Sequence, residues 1–202
     1  MTSGGVVGET PAMANPETHF FGPNGRVPNS RLPLLVYRSA VSGGGDTPSA
    51  IESMFRANGW LNNWHYPGIY DYAHFHSTTH EVLGIGRGRM TLVLGGQGQP
   101  KIEFAAGDAI VMPAGVSHVM VGASDDIEVV GGYPDARDWD LMVDDRMTDH
   151  ERDDAIKRIM MLPIPDRDPV TGAAMDPWRD APSSVHAYRD WNIGDADRFT
   201  PS

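Results

Sequence analysis

The sequence predicts an all-β protein built on one domain. Glycine (23) and proline (16) are abundant and spread along the 202 residues, a distribution that suits many short strands joined by turns rather than a helical bundle. Hydrophobic residues make up 40% and charged residues 21% of the chain, as in ordinary globular proteins. The chain shows no internal repeat, so we expect one barrel and not a tandem pair.

The first half of the chain contains an arm, one helix and most of the predicted strands. Residues 1–30 lack periodicity and are predicted to form a loosely ordered N-terminal arm. Residues 32–41 are typical of a strand, and a short helix then begins at Thr47 and Pro48 and stops near Gly59. Further strands are predicted at 68–76, 80–87, 89–94, 101–105, 109–112, 117–121 and 126–131.

The strand pattern ends after residue 132, and residues 135–202 are predicted to form a C-terminal extension on a barrel of residues 31–134. Thr148 and Glu151 have the spacing of a capping box, which predicts one helix over about 149–161. The tail that follows carries aromatic rings, so we expect it to pack along the barrel. These rings belong to Trp178, Tyr188, Trp191 and Phe199.

Charge and composition exclude several classes of function. The net charge of −11 disfavours nucleic acid and anionic lipid as partners. Acidic residues crowd positions 135–154 without EF-hand spacing, which favours a solvated acidic face. No signal peptide or membrane-spanning run is evident, so we expect a cytoplasmic protein. Because cysteine is absent, any metal must bind nitrogen and oxygen ligands.

Three histidines and a glutamate form the candidate metal site. His74 and His76 are two residues apart on a predicted strand, so their side chains share a face with backbones about 6.6 Å apart. Glu81 follows a short turn, at the start of the returning strand. His118 follows a turn around Pro113 and could reach the same point from across the barrel. Such ligands suit one divalent transition metal, Fe, Mn, Ni, Co or Zn, better than calcium or magnesium.

The spacing of these residues resembles the two sequence motifs of the cupin superfamily. Gly68-x5-His74-x-His76-x4-Glu81-x6-Gly88 matches the first motif, and Gly107-x5-Pro113-x-Gly115-x2-His118 matches the second. The second motif usually ends in asparagine, where this chain has Gly122. The resemblance implies a jelly-roll β-barrel (an antiparallel double-stranded β-helix) with short helices in the extensions, and it implies metal ligation by His74, His76, Glu81 and His118.

A narrower resemblance covers more of the chain. The runs 60–64 (WLNNW), 74–84 (HFHSTTHEVLG) and 168–172 (DPVTG) are similar to the YjlB-like bacterial cupins, a subgroup without a settled activity. This resemblance supports the fold and the metal, and it leaves the reaction open.

Several residues near the motif have alternative interpretations. A His-x-His pair alone is more often incidental than metallic, and some cupins replace the glutamate. His80 is an alternative ligand, although it faces away from Glu81 on a regular strand, which favours a place behind the ligands or at the pocket rim. Tyr72 shares a face with the histidines. Arg87 shares one with Glu81 and could clamp a substrate carboxylate, or face solvent. His80, Tyr72 and Arg87 are therefore the catalytic candidates.

By analogy with the superfamily, we expect a metal-dependent enzyme, an oxygenase, that acts on a small oxygenated or carboxylated metabolite. The first alternative is a non-redox isomerase, decarboxylase or lyase, and the second is a non-catalytic binding or sensor protein. The expected partner is a small-molecule substrate, not nucleic acid or membrane. The long arm suggests a homodimer.

Overall fold

Two antiparallel sheets form the core of the computed structural model, which describes residues 15–42 and 46–181. The first sheet has six strands in the order β1-β2-β8-β5-β10-β3, and the second has five in the order β11-β4-β9-β6-β7. The strands are β1 (Glu17–His19), β2 (Leu34–Tyr37), β3 (Trp60–Tyr66), β4 (His74–Phe75), β5 (Glu81–Arg87), β6 (Arg89–Leu94), β7 (Lys101–Ala105), β8 (Ala109–Met112), β9 (His118–Ala123), β10 (Glu128–Pro134) and β11 (Met142–Val143). The helices are α1 (Thr47–Ala57), α2 (Asp149–Met161) and α3 (Asp176–Arg179).

Side chains from both sheets interleave in the core between them. On β2, Leu34 and Val36 point into this core, whereas Leu35 and Tyr37 point to the other face, as a strand period of two requires. The inward face of the five-stranded sheet adds residues such as Leu92. This jelly-roll arrangement confirms the predicted fold class.

A second apolar layer covers the outer face of the six-stranded sheet. The helix α1 lies against β5 because Gly84 has no side chain, and a Cβ there would overlap Ile51 Cγ2. The C-terminal segment adds Trp178, which is buried and donates its indole N–H to Pro33 O at 2.7 Å. The central strands are therefore buried on both faces, which explains their continuous apolar runs.

The structure differs from the sequence prediction around the entry to the barrel. Only residues 74–75 of the predicted strand 68–76 form a strand, and β3 lies outside the predicted strands. Asn62 and Asn63 interrupt the alternation of apolar and polar residues that would predict β3. Asn62 also has a positive φ of 52°. Because β3 pairs only with β10 at the sheet edge, most of its side chains stay partly or largely exposed.

The described parts of both extensions pack on the barrel, as predicted for Trp178 and contrary to the prediction for the N-terminal arm. Within the predicted N-terminal arm, residues 17–19 pair with β2, and Asn29 is buried, so the described part of the arm is not loose. The predicted helix over 149–161 is present, with both hydrogen bonds of its capping box. The extension also adds β11 to the second sheet and contains α3. The predicted packing of Tyr188, Trp191 and Phe199 lies outside the described residues.

Within the described ranges, no helix has both the length and the apolar character to cross a membrane.

Candidate metal centre

The three predicted histidine ligands meet between the two sheets. His74 on β4 is directly opposite His118 on β9 in the antiparallel ladder, which brings the two imidazole centroids to 4.1 Å. His76 lies just beyond β4, and its carbonyl accepts a hydrogen bond from Gly115 N. One ring nitrogen of each of the three histidines lies within 4.8 Å of the others, and all three side chains are buried. This group could hold a metal ion.

Glu81 approaches the histidines from the opposite sheet. It is the first residue of β5, and its Oε2 lies 3.5 Å from His76 Nε2 and 3.4 Å from His118 Nε2. Ligand atoms about 2.0 to 2.2 Å from a shared ion lie about 3.0 to 3.5 Å from one another. The structure therefore brings the four predicted side chains to one place, and the two distances from Glu81 Oε2 suit a shared ion.

Backbone carbonyls orient the three imidazole rings. Nδ1 of His74 lies 3.0 Å from Tyr72 O, and Nδ1 of His118 lies 3.0 Å from Val116 O, while Nδ1 of His76 bonds to Asp140 O. A carbonyl oxygen can only accept a hydrogen bond, so each Nδ1 carries the hydrogen and donates it. In the neutral ring the lone pair then lies on Nε2. Metal-binding histidines are commonly held in this way.

Burial and neighbouring charge set the protonation of the group. Burial lowers the pKa of His118 to about 3 and also lowers the pKa of His74. Burial likewise opposes charge on His76, but the Glu81 carboxylate outweighs it and raises the pKa of His76. Burial acts to raise the pKa of Glu81, and the attraction of His76 overcomes it and holds that pKa at about 2. Glu81 is thus ionised, with two neutral imidazoles beside it.

The two oxygens of Glu81 differ in their surroundings. Tyr133 on β10 donates its hydroxyl to Oε1 at 3.1 Å, and Trp64 donates its indole N–H to the Tyr133 oxygen at 3.0 Å. Oε2 is buried and has no hydrogen-bond partner among the described residues. A buried carboxylate oxygen without a partner is costly, and a cation between it and the Nε2 atoms would satisfy it.

A loop from the C-terminal extension closes one side of the site. The Asp140 carboxylate accepts hydrogen bonds from Ser77 N at 2.6 Å and Thr78 N at 3.1 Å, and from both hydroxyl groups. Arg158 on α2 donates to Ser77 Oγ at 2.8 Å. Trp139, the preceding loop residue, places its ring 5.4 Å from that of His76. The sequence pattern did not reveal this loop, because residues 135–154 have the composition of one solvated acidic face.

A cavity of about 470 Å³ leads from the histidines to the surface. Its described lining comes mainly from β3, the 68–70 turn and the loop at Trp139. The lining residues are Asn62, Asn63, Trp64, His65, Tyr66, Gly68, Ile69, Tyr70, His74, His76, Glu81, His118, Tyr133 and Trp139. Trp64 fits against β10 because Gly131 has no side chain, and a Cβ there would overlap the indole of Trp64.

His80 does not belong to the cavity, contrary to its predicted place at the rim. Its ring packs 4.7 Å from that of Trp178 on the outer side of the six-stranded sheet. Ala114 N donates to its Nδ1 at 3.0 Å, and its Nε2 lies 3.3 Å from Pro163 O. Both nitrogens are therefore engaged, and burial lowers the pKa of His80 to about 4. Because neighbouring side chains of a strand point to opposite faces, His80 faces away from the site that Glu81 faces, and its role is structural.

The other two catalytic candidates also lie outside the described lining of the cavity. Arg87 is exposed at the end of β5, where it pairs with Glu128 and Asp46. A register shift on β10 between Glu128 and Val129 interrupts regular alternation there. Tyr72 stacks on Tyr70 with centroids 4.9 Å apart and faces a different surface groove, so only its carbonyl serves the site, through His74.

The fold and the site together define the class of this protein. A two-sheet antiparallel barrel with three histidines from one sheet and a glutamate from the other, at the motif positions, is the arrangement of a cupin. Over 157 residues the chain is 38% identical to the uncharacterised protein YjlB of Bacillus subtilis (strain 168), a match that covers 77% of this chain and 90% of that protein. The chain therefore belongs to the YjlB family. No family model matches it.

Solved structures give more distant similarities. The TDP-quinovose 3,4-ketoisomerase WlaRB of Campylobacter jejuni has a TM-score of 0.35 at 17% identity, over 41% of this chain and 68% of that one. RmlC of Streptococcus suis has a TM-score of 0.34 at 15% identity, over 59% of this chain and 74% of that one. A variant of the oxalate decarboxylase of Bacillus subtilis has a TM-score of 0.35 at 14% identity, over 58% of this chain and 29% of that one.

Proposed function

We propose that this protein is a metal-dependent enzyme, an oxygenase that acts on a small oxygenated or carboxylated metabolite. One observation carries the proposal: Oε2 of Glu81 is buried and without a hydrogen-bond partner in the described structure, 3.4 to 3.5 Å from two Nε2 atoms. An ion at this point, ligated by His74, His76, Glu81 and His118, would replace the missing interaction.

The residues present fit Fe, Mn, Ni, Co or Zn, since the set combines three imidazoles with one carboxylate. When bound, such an ion supplies a Lewis acid with open positions for substrate and, if it is iron, the capacity to activate dioxygen. The chain itself keeps the three Nδ1–H groups on carbonyls, so each Nε2 stays directed at one point. Tyr133 meanwhile fixes the rotation of Glu81.

The cavity contains few groups suited to acid–base catalysis. Apart from the four proposed ligands, its described lining has only tyrosines and His65 as titratable side chains. His65 is engaged on both ring nitrogens by Glu128 and Glu52, at 2.9 and 3.0 Å. The tyrosines are thus the described candidates for the general base that an isomerase or lyase needs, whereas an oxygenase can rely on the metal and dioxygen. This scarcity of free bases favours the oxygenase.

Metal analysis of protein purified without a histidine tag tests the site. We expect about one divalent ion per chain, and His76→Ala should lose it. His150→Ala is the matched control, because His150 is an exposed histidine on α2 whose near contact is Asp154. A His76→Ala protein that keeps the wild-type metal content would refute the assignment.

Oxygen uptake tests the reaction. Iron-loaded protein should consume dioxygen with one member of a panel of diketones, hydroxy acids and phenols. Turnover without oxygen uptake would instead indicate a non-redox isomerase, decarboxylase or lyase. Tight binding without any turnover would indicate a sensor or storage protein.

A further inference from the structure

Aromatic rings form most of the wall of the metal-site cavity. Trp64, Tyr70 and Trp139 lie around the histidines, with Tyr66 and Ile69 nearer the surface. Trp139 meets His76 edge-on at 5.4 Å, and Tyr70 meets His74 edge-on at 5.0 Å. Trp139 and Tyr70 therefore contact the proposed ligands themselves, so a molecule held at the ion would contact these two rings directly.

Three of these rings are unusually exposed. Tyr66 is 63% exposed, Tyr70 42% and Trp139 40%, although each is large and largely apolar. Exposed apolar side chains that cluster around one concavity are typical of a binding site, because a ligand can cover them. A cavity of about 470 Å³ lies within the range of small-molecule sites, about 300 to 1,000 Å³.

The described lining carries no lysine or arginine. The one arginine that sequence alternation placed here, Arg87, is bound outside by Glu128. The whole chain has a net charge of −11, which adds no attraction for an anion. A substrate with several carboxylates would thus find no cationic side chain among the described walls, and its remaining charges would be desolvated without a partner.

Hydrogen bonds hold Asn63 in one orientation at the cavity wall. Its Nδ2 donates to Trp60 O at 3.1 Å and Gly131 O at 3.2 Å, which uses both hydrogens and fixes the orientation of the amide. Its Oδ1 is buried and has no partner among the described residues. Asn63 lines the cavity, but this oxygen is covered by the protein, so the residue contributes a fixed part of the wall.

We infer that the substrate is a neutral, planar molecule, an aromatic or conjugated ring with adjacent oxygen atoms. The adjacent oxygens suit the open positions of the ion, and the ring suits the walls of Trp64, Tyr70 and Trp139. The inference rests on the proposed function, and it narrows the substrate class from oxygenated or carboxylated metabolites to uncharged ring compounds.

Calorimetry on zinc-loaded protein tests this inference, since zinc supports binding without redox turnover. The ring probe is 2,3-dihydroxynaphthalene and the anionic chelator is 2-oxoglutarate. Wild-type protein should bind 2,3-dihydroxynaphthalene at least tenfold more tightly than it binds 2-oxoglutarate. Trp139→Ala should lower the affinity for the ring probe about three- to tenfold, the size of one aromatic contact. Its affinity for 2-oxoglutarate should not change. Trp139→Phe should restore most of the loss.

Met161→Ala is the matched control, because Met161 is 81% exposed and lies outside the described lining. It should change neither affinity. Tighter binding of 2-oxoglutarate than of the ring probe would overturn the inference. An equal loss of affinity for both ligands in Trp139→Ala would also overturn it, and would show that Trp139 positions His76 instead. Failure of wild-type protein to retain zinc would overturn the proposed function separately. In that case the ring probe, measured on metal-free protein, should still bind more weakly to Trp139→Ala, and equal binding would overturn the substrate class.

Discussion

Replacing Asp140 by alanine should weaken metal binding from outside the set of proposed ligands. The Asp140 carbonyl accepts the Nδ1–H of His76, and its carboxylate ties that carbonyl to Ser77 and Thr78. Asp140→Ala keeps the backbone carbonyl and removes the carboxylate with its hydrogen bonds to Ser77 and Thr78. The loop is then free to shift, and with it the partner that orients the His76 ring.

The structure sets the size of the expected effect. The carboxylate accepts hydrogen bonds from two backbone N–H groups and two hydroxyls, and Ser77 is buried. Leaving buried donors unpaired costs about 1 to 3 kcal/mol each, and partial exposure of the loop reduces that cost, so we expect a stability loss of about 2 to 4 kcal/mol. Removing an outer partner of a metal-binding histidine typically lowers affinity about 10- to 100-fold, which corresponds to about 1.4 to 2.7 kcal/mol.

Zinc competition against a chromogenic chelator measures the affinity, and urea unfolding of the metal-free protein measures the stability. Asp138→Ala is the matched control, because it removes an equal charge from the same loop, and of Asp138 only the backbone carbonyl bonds to Thr78. We expect Asp138→Ala to behave as wild type. If folded Asp140→Ala binds zinc within twofold of wild type, the loop does not position His76.

Three further substitutions test other parts of the structure. His80→Ala should lose about 1 to 3 kcal/mol in urea unfolding, because Ala114 N loses its buried acceptor, yet elemental analysis should find unchanged metal content. Trp178→Ala should lose about 3 to 5 kcal/mol in the same assay, because the buried indole packs on the barrel and donates to Pro33 O. The hydrogen bond that His65 donates to the Glu128 carboxylate, opposed by burial, raises the pKa of His65. The stabilisation from this pair is therefore complete below about pH 6.5 and is lost as pH rises through the higher folded pKa. The ring is about one third exposed, so the stability difference between wild type and His65→Gln should stay below about 1 kcal/mol and shrink from pH 6 to pH 9.

Local patterns in the sequence were sufficient to predict the four side chains that meet between the sheets. His74 and His76 share a face because strand side chains alternate, and Glu81 and His118 each follow a recognisable turn. The capping box at Thr148 likewise predicted the start of α2, since a capping box involves only residues three apart. These features depend on neighbours in the chain, so they are visible without a fold.

Only the tertiary structure decided which groups surround those four side chains. Tyr133 reaches Glu81 across 52 residues, and the Asp140 carbonyl reaches His76 across 64. Arg87 faces outward because a register shift on the neighbouring strand interrupts alternation at that end of β5. Each of these outcomes depends on strand register and loop packing between distant segments, which are set by the whole core and leave no local signal in the sequence.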